Sequence, residues 1–228
     1  MNGQFNESYT GPRRDLLAMV PSSVVKVLDI GCSTGAFSKE IRMNHTASRL
    51  VGVEVDPQMA HEAKDVMDRV EVANLNHIRL SGVIDERGFD LVVMGDVLEH
   101  LIDPWGVIED AVELMSPGGI VIASVPNVRH VDTIWNLLFK GDWPYRDRGI
   151  HDRTHLRYFT KAGVLRLLST SGLKIQSIDA NYRLLDRPSP VNRKLTPVLS
   201  LPLIRNFFAY QYLVVARKPA TLDGGETV

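Results

Sequence analysis

The sequence predicts an α/β fold with a mainly parallel sheet. Up to residue 126, short apolar runs alternate with segments of helical spacing, which is the order of β-α-β units. Several of these runs are apolar without interruption, as expected of parallel strands that are buried on both faces. The first run leads through an acid into a glycine-rich turn, Asp29 to Gly35, at the edge where open α/β sheets bind ligands.

The composition fits one globular domain of the larger kind. The chain has 228 residues, of which 44% are hydrophobic and 23% are charged. Its single cysteine, Cys32, excludes an internal disulfide framework and suits a reducing compartment. The first residues lack the charged start and apolar core of a signal peptide. We therefore expect a cytoplasmic protein.

The net charge of −1 is distributed unevenly along the chain. Residues 1–126 contain 10 Lys and Arg against 19 Asp and Glu, whereas residues 127–228 contain 16 against 8. The basic second half predicts an anionic acceptor or surface. A basic face that is merely solvated explains the same pattern, so this alternative stays open.

The N-terminal part of the chain predicts a short helix followed by the first strand. The helix covers residues 15–20, because the apolar run stops before Pro21. The strand is Lys26–Ile30, and a second helix follows the glycine loop through Ile41.

The glycine loop after the first strand predicts a place where something approaches the backbone closely. Gly31 and Gly35 remove side chains there. Ser33 stands at the second glycine position of a dinucleotide fingerprint, so pyrophosphate binding has little support. An ordinary glycine-rich turn between strand and helix is the alternative.

The second strand is predicted at Leu50–Val55 and carries an acid at its end. A carboxylate at Glu54 can accept two hydrogen bonds from a ribose diol, although an acid at a strand end is often only solvated. Asp56 and Pro57 predict the N-cap and first residue of the next helix.

Three further strands are predicted before residue 127. Asn74 and Leu75 follow the third strand, and an asparagine there is also a common turn residue. A helix between the fourth and fifth strands begins at Asp103-Pro104 and ends at Pro117-Gly118-Gly119. The three strands are Val70–Ala73, Phe89–Met94 and Ile120–Val125.

Beyond Asn127 the β-α rhythm is interrupted. Val128–Lys140 has helical spacing, with Val131, Ile134, Trp135 and Leu138 on one face, and residues 141–149 are rich in breakers. We interpret residues 127–159 as a lid insertion over the acceptor.

The C-terminal part predicts one helix and two strands. Thr160 caps the helix Lys161–Ser171, and Gly172 ends it. The strands Lys174–Asp179 and Tyr210–Ala216 flank a second insertion at residues 181–209, and residues 219–228 are predicted to be a disordered tail.

The second insertion contains an apolar segment, residues 198–208. Pro202 and Arg205 argue against a membrane span there. Packing on the lid, a homodimer contact and peripheral contact with a membrane surface stay open.

Three segments of the chain form recognisable motifs. They are Asp29-x-Gly31-x-Ser33-x-Gly35, Asp96-Val97-Leu98-Glu99-His100 and Thr154-His155-Leu156-Arg157-Tyr158-Phe159-Thr160. On these segments the chain resembles class I S-adenosyl-L-methionine-dependent methyltransferases over about Tyr9 to Lys218, with departures from the family pattern at Ser33 and Asn74. The second segment resembles small-molecule O-methyltransferases of quinone and sugar biosynthesis, and the third resembles a subset associated with cell-surface polysaccharide genes.

This resemblance implies a Rossmann-like sheet of seven strands in the order 3-2-1-4-5-7-6, with strand seven antiparallel and helices on both faces. It implies one domain, residues 1–218, that binds S-adenosyl-L-methionine. Glu54 would bind the ribose, Asn74 and Leu75 the adenine, and Arg13 the cofactor carboxylate. The full set of implied cofactor-binding residues is Arg13, Asp29, Gly31, Cys32, Ser33, Gly35, Glu54, Val55, Asn74, Leu75, Gly95 and Asp96.

A methyl transfer to an alcohol benefits from a positioned base, because the hydroxyl proton must leave as the bond forms. His100 is the first candidate, since it follows strand four, and His155 and His151 come next. A capping or core role for His100 stays open. His151 and His155 share the spacing of a zincin helix, but Asp152 replaces the glutamate and no third ligand is evident, so we expect no metal.

The expected activity is O-methylation of a sugar hydroxyl on a polysaccharide precursor or nucleotide sugar. The alternatives are O-methylation of a phenolic or quinone-type molecule, and a catalytically silent cofactor-binding protein. Nucleic acid is not expected as a partner, because the chain lacks the Asn/Asp-Pro-Pro-aromatic motif of base-amine enzymes after strand four.

Overall fold

A computed structural model describes residues 11–184 and 190–220 of the chain. Tyr9 and residues 221–228 lie outside the described residues, so the disorder expected for the tail stays a prediction. Within the described part, no helix combines the length and the apolar character needed to cross a membrane.

The described strands form one seven-stranded sheet in the order 3-2-1-4-5-7-6, which confirms the predicted topology. The first five strands pair in parallel, and β7 pairs antiparallel with both β5 and β6. The strands are β1 Lys26–Ile30, β2 Arg49–Glu54, β3 Arg69–Val72, β4 Phe89–Gly95, β5 Met115–Pro126, β6 Lys174–Tyr182 and β7 Ala209–Arg217.

Eight α-helices connect or cover the strands of this sheet in the described part. They are α1 Arg14–Leu17, α2 Ala36–Asn44, α3 Pro57–Ala63, α4 Pro104–Leu114, α5 Val131–Trp135, α6 Lys161–Thr170, α7 Pro190–Leu199 and α8 Arg205–Phe208. A 3-10 helix at Leu98–His100 follows β4, and a π-helix at Asn136–Lys140 continues α5.

The sheet is buried on both of its faces because successive strand side chains point in opposite directions. In β4, Val92 and Met94 belong to one buried cluster, whereas Leu91 and Val93 belong to the other. This double burial explains why the central strands are apolar without interruption.

The predicted helix caps are confirmed. The Asp56 side chain accepts hydrogen bonds from the backbone N–H groups of Gln58 and Met59, and Pro57 is the first residue of α3. Asp103 accepts from the Gly106 N–H at the start of α4. Local caps of this kind depend on residues three positions apart, which makes them readable from sequence.

The predicted end of α4 is wrong. The helix ends at Leu114, and Pro117-Gly118-Gly119 lies inside the twelve-residue strand β5. The backbone at Gly119 packs so closely on β4 that a Cβ there would lie 2.9 Å from the Phe89 carbonyl oxygen. The Lys218 N–H donates to the Gly119 carbonyl at 2.8 Å, so this glycine pair joins the sheet instead of a helix terminus.

The helix predicted for residues 128–140 is shorter in the structure, and the apolar residues that the prediction placed on one face are not buried. The helix begins at Val131, and it buries Thr133 and Asn136 while Trp135 and Leu138 are 52% and 73% exposed. The Thr133 hydroxyl lies 3.2 Å from His151 Nε2, and the Asn136 amide donates to the Asp132 carbonyl.

Candidate active site

The glycine loop lies at the carboxyl end of β1, packed against the segment that follows β4. Gly31 and Gly35 have φ angles of +75° and +76°, and Ser33 has a φ of +50°. The Gly31 N–H donates to the Val53 carbonyl at 2.8 Å. A Cβ at Gly31 would overlap the Val97 side chain. The loop therefore requires glycine at this position for both its conformation and its packing.

Glu54 at the end of β2 is joined directly to this loop. Its buried carboxylate accepts three backbone hydrogen bonds, from the N–H groups of Ser33, Val55 and Asp56, at 2.8 to 2.9 Å. Oε1 accepts two of these bonds and Oε2 accepts one. A carboxylate offers about four acceptor positions, so Oε2 keeps one for a ligand hydroxyl.

Asp29 and Cys32 are buried behind the loop. The Ser38 hydroxyl donates to Asp29 at 2.8 Å and so connects β1 with α2. Burial, together with the nearby charge of Glu54, raises the pKa of Asp29 to about 7. Burial also raises the pKa of the Cys32 thiol, so it stays protonated and unreactive at neutral pH.

Asn74 adopts the turn that the sequence left open as an alternative to adenine binding. Its side-chain oxygen accepts from the Asn76 N–H at 3.0 Å, and Leu75 packs against the core. Asn76, which sequence analysis missed, holds the segment after β4. Its amide donates to the His100 carbonyl at 3.0 Å and its oxygen accepts from the Ile102 N–H at 2.7 Å.

Arg13 lies across the end of β4 in a polar network. Its guanidinium contacts Asp96 at 2.6 Å and Asp15 at 3.0 Å. The Ser124 hydroxyl donates to Asp96 at 2.8 Å, and the Gln211 amide donates to the same carboxylate. A Cβ at Gly95 would lie 3.1 Å from Leu16, so α1 rests on this strand end. The predicted contact of Arg13 with a cofactor carboxylate stays a prediction.

No local sequence signal could have revealed Ser124 and Gln211. Ser124 lies 28 residues from Asp96, and Gln211 lies 115 residues from it. Both are typical polar residues of strands, and only the sheet order brings them to Asp96.

His100 and His155 meet edge to face, with ring centroids 4.7 Å apart. The Thr154 hydroxyl donates to Asp152 at 2.7 Å and therefore accepts from His100 Nδ1 at 3.1 Å. This places the proton of neutral His100 on Nδ1 and the lone pair on Nε2. Burial lowers the pKa of His100, so the neutral form prevails at pH 7.

The other two candidate histidines differ in their surroundings. His155 is buried with Nδ1 3.1 Å from the Ile150 carbonyl, and burial together with His100 lowers its pKa to about 4. His151 is fully buried in the lid, edge to face with Trp143 and 3.6 Å from Asp132. The structure thus joins His155 to His100 and places His151 in lid packing.

Glu99 completes a group of three donors with these two histidines. One ligand atom from each of Glu99, His100 and His155 lies within 4.8 Å of the others. Glu99 is 1% exposed, its Oε2 has no hydrogen-bond partner among the described residues, and burial raises the pKa of its carboxyl well above the usual range. These donors could hold a divalent cation, although the group contains His100 and Glu99 and not the His151 of the pair considered in the sequence.

The comparisons with known proteins identify the family to which the chain belongs. A family model described as a methyltransferase domain matches residues 6–178. A ubiquinone biosynthesis O-methyltransferase from Cereibacter sphaeroides is 29% identical over 175 residues, which cover 70% of this chain and 64% of that protein. A protein of the same name from Coxiella burnetii is 26% identical over 170 residues, covering 69% and 70%. The chain thus spans less than two thirds of the length of the first relative.

A solved S-adenosylmethionine-dependent methyltransferase from Mesorhizobium loti has the same fold. Its TM-score is 0.62 at 20% identity, over 90% of this chain and 96% of that one. The residues matched by the family model include the glycine loop, Glu54, Asp96 and the histidine pair. Since this match covers more than half of the sequence, the chain belongs to the methyltransferase-domain family.

Proposed function

We propose that the protein is an S-adenosyl-L-methionine-dependent methyltransferase that methylates an oxygen nucleophile. The observation that carries this proposal is the contact between the glycine loop and the acid of β2, with Ser33 N–H 2.8 Å from Glu54 Oε2. The remaining acceptor position on Oε2 suits a ribose hydroxyl. Family membership and the O-methyltransferase names of the relatives support the proposal.

The bound cofactor would supply an electrophilic methyl group. The residues of this chain would orient the reactants and exclude water. His100 Nε2 would take the proton of the acceptor hydroxyl, because Nδ1 already donates to Thr154. The lowered pKa of His100 keeps that lone pair available at neutral pH.

The first acceptor class that we propose is a phenolic or quinone-type molecule. Its support is the name shared by the relatives from Cereibacter sphaeroides and Coxiella burnetii. The second class is an anionic sugar derivative, such as a nucleotide sugar. Its support is the basic composition of residues 127–228, which include the lid.

The test is a methyl-transfer screen with isotopically labelled cofactor and detection by mass spectrometry. One panel contains catechol-type quinone precursors, and a second contains nucleotide sugars and lipid-linked glycans. We expect one labelled methyl group on an acceptor oxygen. Cofactor binding in calorimetry without transfer to any panel member would favour a silent cofactor-binding protein, and absence of cofactor binding would refute the proposal.

A further inference from the structure

A cavity of about 420 Å³ lies beside α6, separate from the glycine loop and the histidine pair. Its walls include Arg129, Lys161, Leu165 and Tyr212. A smaller adjoining cavity shares Lys161 and Tyr212 and extends to Arg205 on α8. We call the two together the α6 cleft. None of the residues proposed for cofactor or proton transfer contributes to its walls.

The α6 cleft has an excess of positive charge. Arg129, Lys161 and Arg205 come from three separate segments, and Asp179 is the one acid among the lining residues. Within residues 11–184 and 190–220, none of these three cations forms an ion pair. Many other arginines do pair with acids, as Arg49 does with Glu86. Lys161 lines both cavities, Arg129 the larger one and Arg205 the smaller one, so an anion in the cleft would compensate their positive charge.

The two arginines act on the same buried hydroxyl. Tyr212 is 3% exposed, and burial raises the pKa of its phenol, while the charges of Arg129 and Arg205 oppose that rise. The Arg129 guanidinium lies 4.6 Å from the centre of the Phe207 ring, and this contact restrains it. Tyr182 lines the smaller cavity and brings a second hydroxyl.

We propose that the α6 cleft binds the phosphate group of a small organic phosphate. Three cations against one acid leave two positive charges, which match a phosphate dianion. Guanidinium groups donate paired hydrogen bonds to phosphate oxygens, and phenol hydroxyls add further donors. The volume is within the roughly 300–1,000 Å³ of small-molecule sites, so an organic part fits beside the phosphate.

The binding test is a calorimetric titration of inorganic pyrophosphate into the full chain at low salt. We expect one bound ion per chain. Arg205→Gln and Arg129→Gln each should weaken binding about tenfold or more, because each removes a charge-assisted hydrogen bond. Tyr212→Phe, which removes only a hydroxyl, should weaken binding less.

Arg166→Gln is the matched control. Arg166 is exposed on the same helix as Lys161 and does not line the cleft. Its removal lowers the net charge by the same amount and should leave pyrophosphate affinity within about twofold of wild type. Equal weakening in Arg166→Gln and Arg205→Gln, more than one bound ion, or no binding would overturn the proposal.

The organic phosphate could be a soluble ester or the headgroup of an anionic lipid, and competition separates these sources. We would displace bound pyrophosphate with a nucleotide sugar or with phosphatidylglycerol vesicles, using phosphatidylcholine vesicles as the reference. Displacement by the nucleotide sugar assigns a soluble ester, and displacement by phosphatidylglycerol alone assigns a headgroup. If neither displaces pyrophosphate, the cleft does not accept an organic phosphate and the proposal fails.

Discussion

Gly31 has a left-handed backbone conformation, and an added Cβ would overlap the Val97 side chain. Each of these two features independently favours glycine at this position. Gly31→Ala should lower the free energy of unfolding by about 2–5 kcal/mol, from the backbone penalty and the overlap together. Urea denaturation measures this loss. In the double variant with Val97→Ala the overlap disappears, so the backbone penalty and the loss from Val97→Ala itself remain. If the double variant loses as much stability as the two single variants, Gly31→Ala and Val97→Ala, lose in sum, this account is contradicted.

Glu54 holds the glycine loop and is also proposed to bind the ribose. A conservative substitution is therefore needed to test binding without disrupting the loop. Glu54→Gln keeps the size of the side chain but places an N–H₂ group where one acceptor oxygen was. We expect cofactor affinity to fall about tenfold or more, as measured by calorimetry. Glu62→Gln, on the exposed side of α3, is the control. Unchanged affinity in Glu54→Gln would remove the ribose role.

His100→Ala should lower turnover by roughly two to four orders of magnitude if His100 is the base. Activity requires the neutral ring, so the wild-type rate should fall as pH drops through the pKa of His100. Burial lowers that pKa from its usual 6.5, and the acid limb should therefore lie below pH 6.5. His77→Ala, at an exposed histidine, is the control.

A chelator distinguishes the two roles that the geometry allows for His100. If the ring acts as a base without a metal, a metal chelator should leave wild-type turnover unchanged. If Glu99, His100 and His155 hold a cation, the chelator should abolish turnover and added metal should restore it. Equal turnover of wild type and His100→Ala would exclude both roles.

The lid, residues 127–159, is an element with a polar interior. His130, Thr133, Asn136 and His151 are all buried there. The Val128 N–H donates to the Phe159 carbonyl at 2.9 Å, which closes the base of the lid. That this element covers the acceptor stays a prediction, and its exposed apolar residues include Trp135 and Leu138.

Limited trypsin digestion tests whether the lid opens. Arg148 is exposed, whereas Arg146 is half-buried and paired with Asp132 at 2.9 Å, so cleavage in the free protein should occur after Arg148. Cofactor and acceptor together should slow that cleavage. An Arg148→Gln variant should lose this fragment pattern. A cleavage rate that stays the same when cofactor and acceptor are added would contradict a moving lid.

The strands and helix caps were predictable because their sequence signals are local. The residues of the candidate active site were predictable only in part. Buried parallel strands require continuous apolar residues, and a cap such as Asp56 lies within three residues of its partner. The glycine loop and Glu54 also follow from strand order. By contrast, Asn76 and Glu99 acquire their roles from segments more than 20 residues away, which no period in the sequence encodes.

At the scale of the whole molecule, buried titratable groups couple stability to pH in opposite directions. The pKa of Asp29 is raised to about 7, so the folded protein disfavours ionisation of this carboxyl. The free energy of unfolding therefore decreases as pH rises from about 4 to about 7. The pKa of His155 is lowered to about 4, so its contribution is lost as pH falls from about 6.5 to about 4.

Asp29→Asn isolates the first of these effects. The variant keeps an oxygen that can accept from the Ser38 hydroxyl but cannot ionise. Relative to wild type, its free energy of unfolding should therefore increase by roughly 2–4 kcal/mol between pH 4.5 and 7.5, so the variant becomes relatively more stable as pH rises. Urea denaturation across that range checks it, because His155 contributes equally in both proteins. A constant difference would show that Asp29 does not titrate within this window.

The antiparallel pairing of β6 and β7 allows the connection between them to vary in length. Parallel strands need a crossover that packs on the sheet, whereas an antiparallel pair needs only a return, whose entropic cost grows slowly with length. The helices α7 and α8 lie between these two strands in the sequence, and α8 contains Arg205 of the α6 cleft. The glycine loop and Glu54 depend on β1 and β2, near the other edge of the sheet. Insertions or deletions in this return could therefore diversify what the protein recognises over evolutionary time while the ancestral chemistry is inherited unchanged.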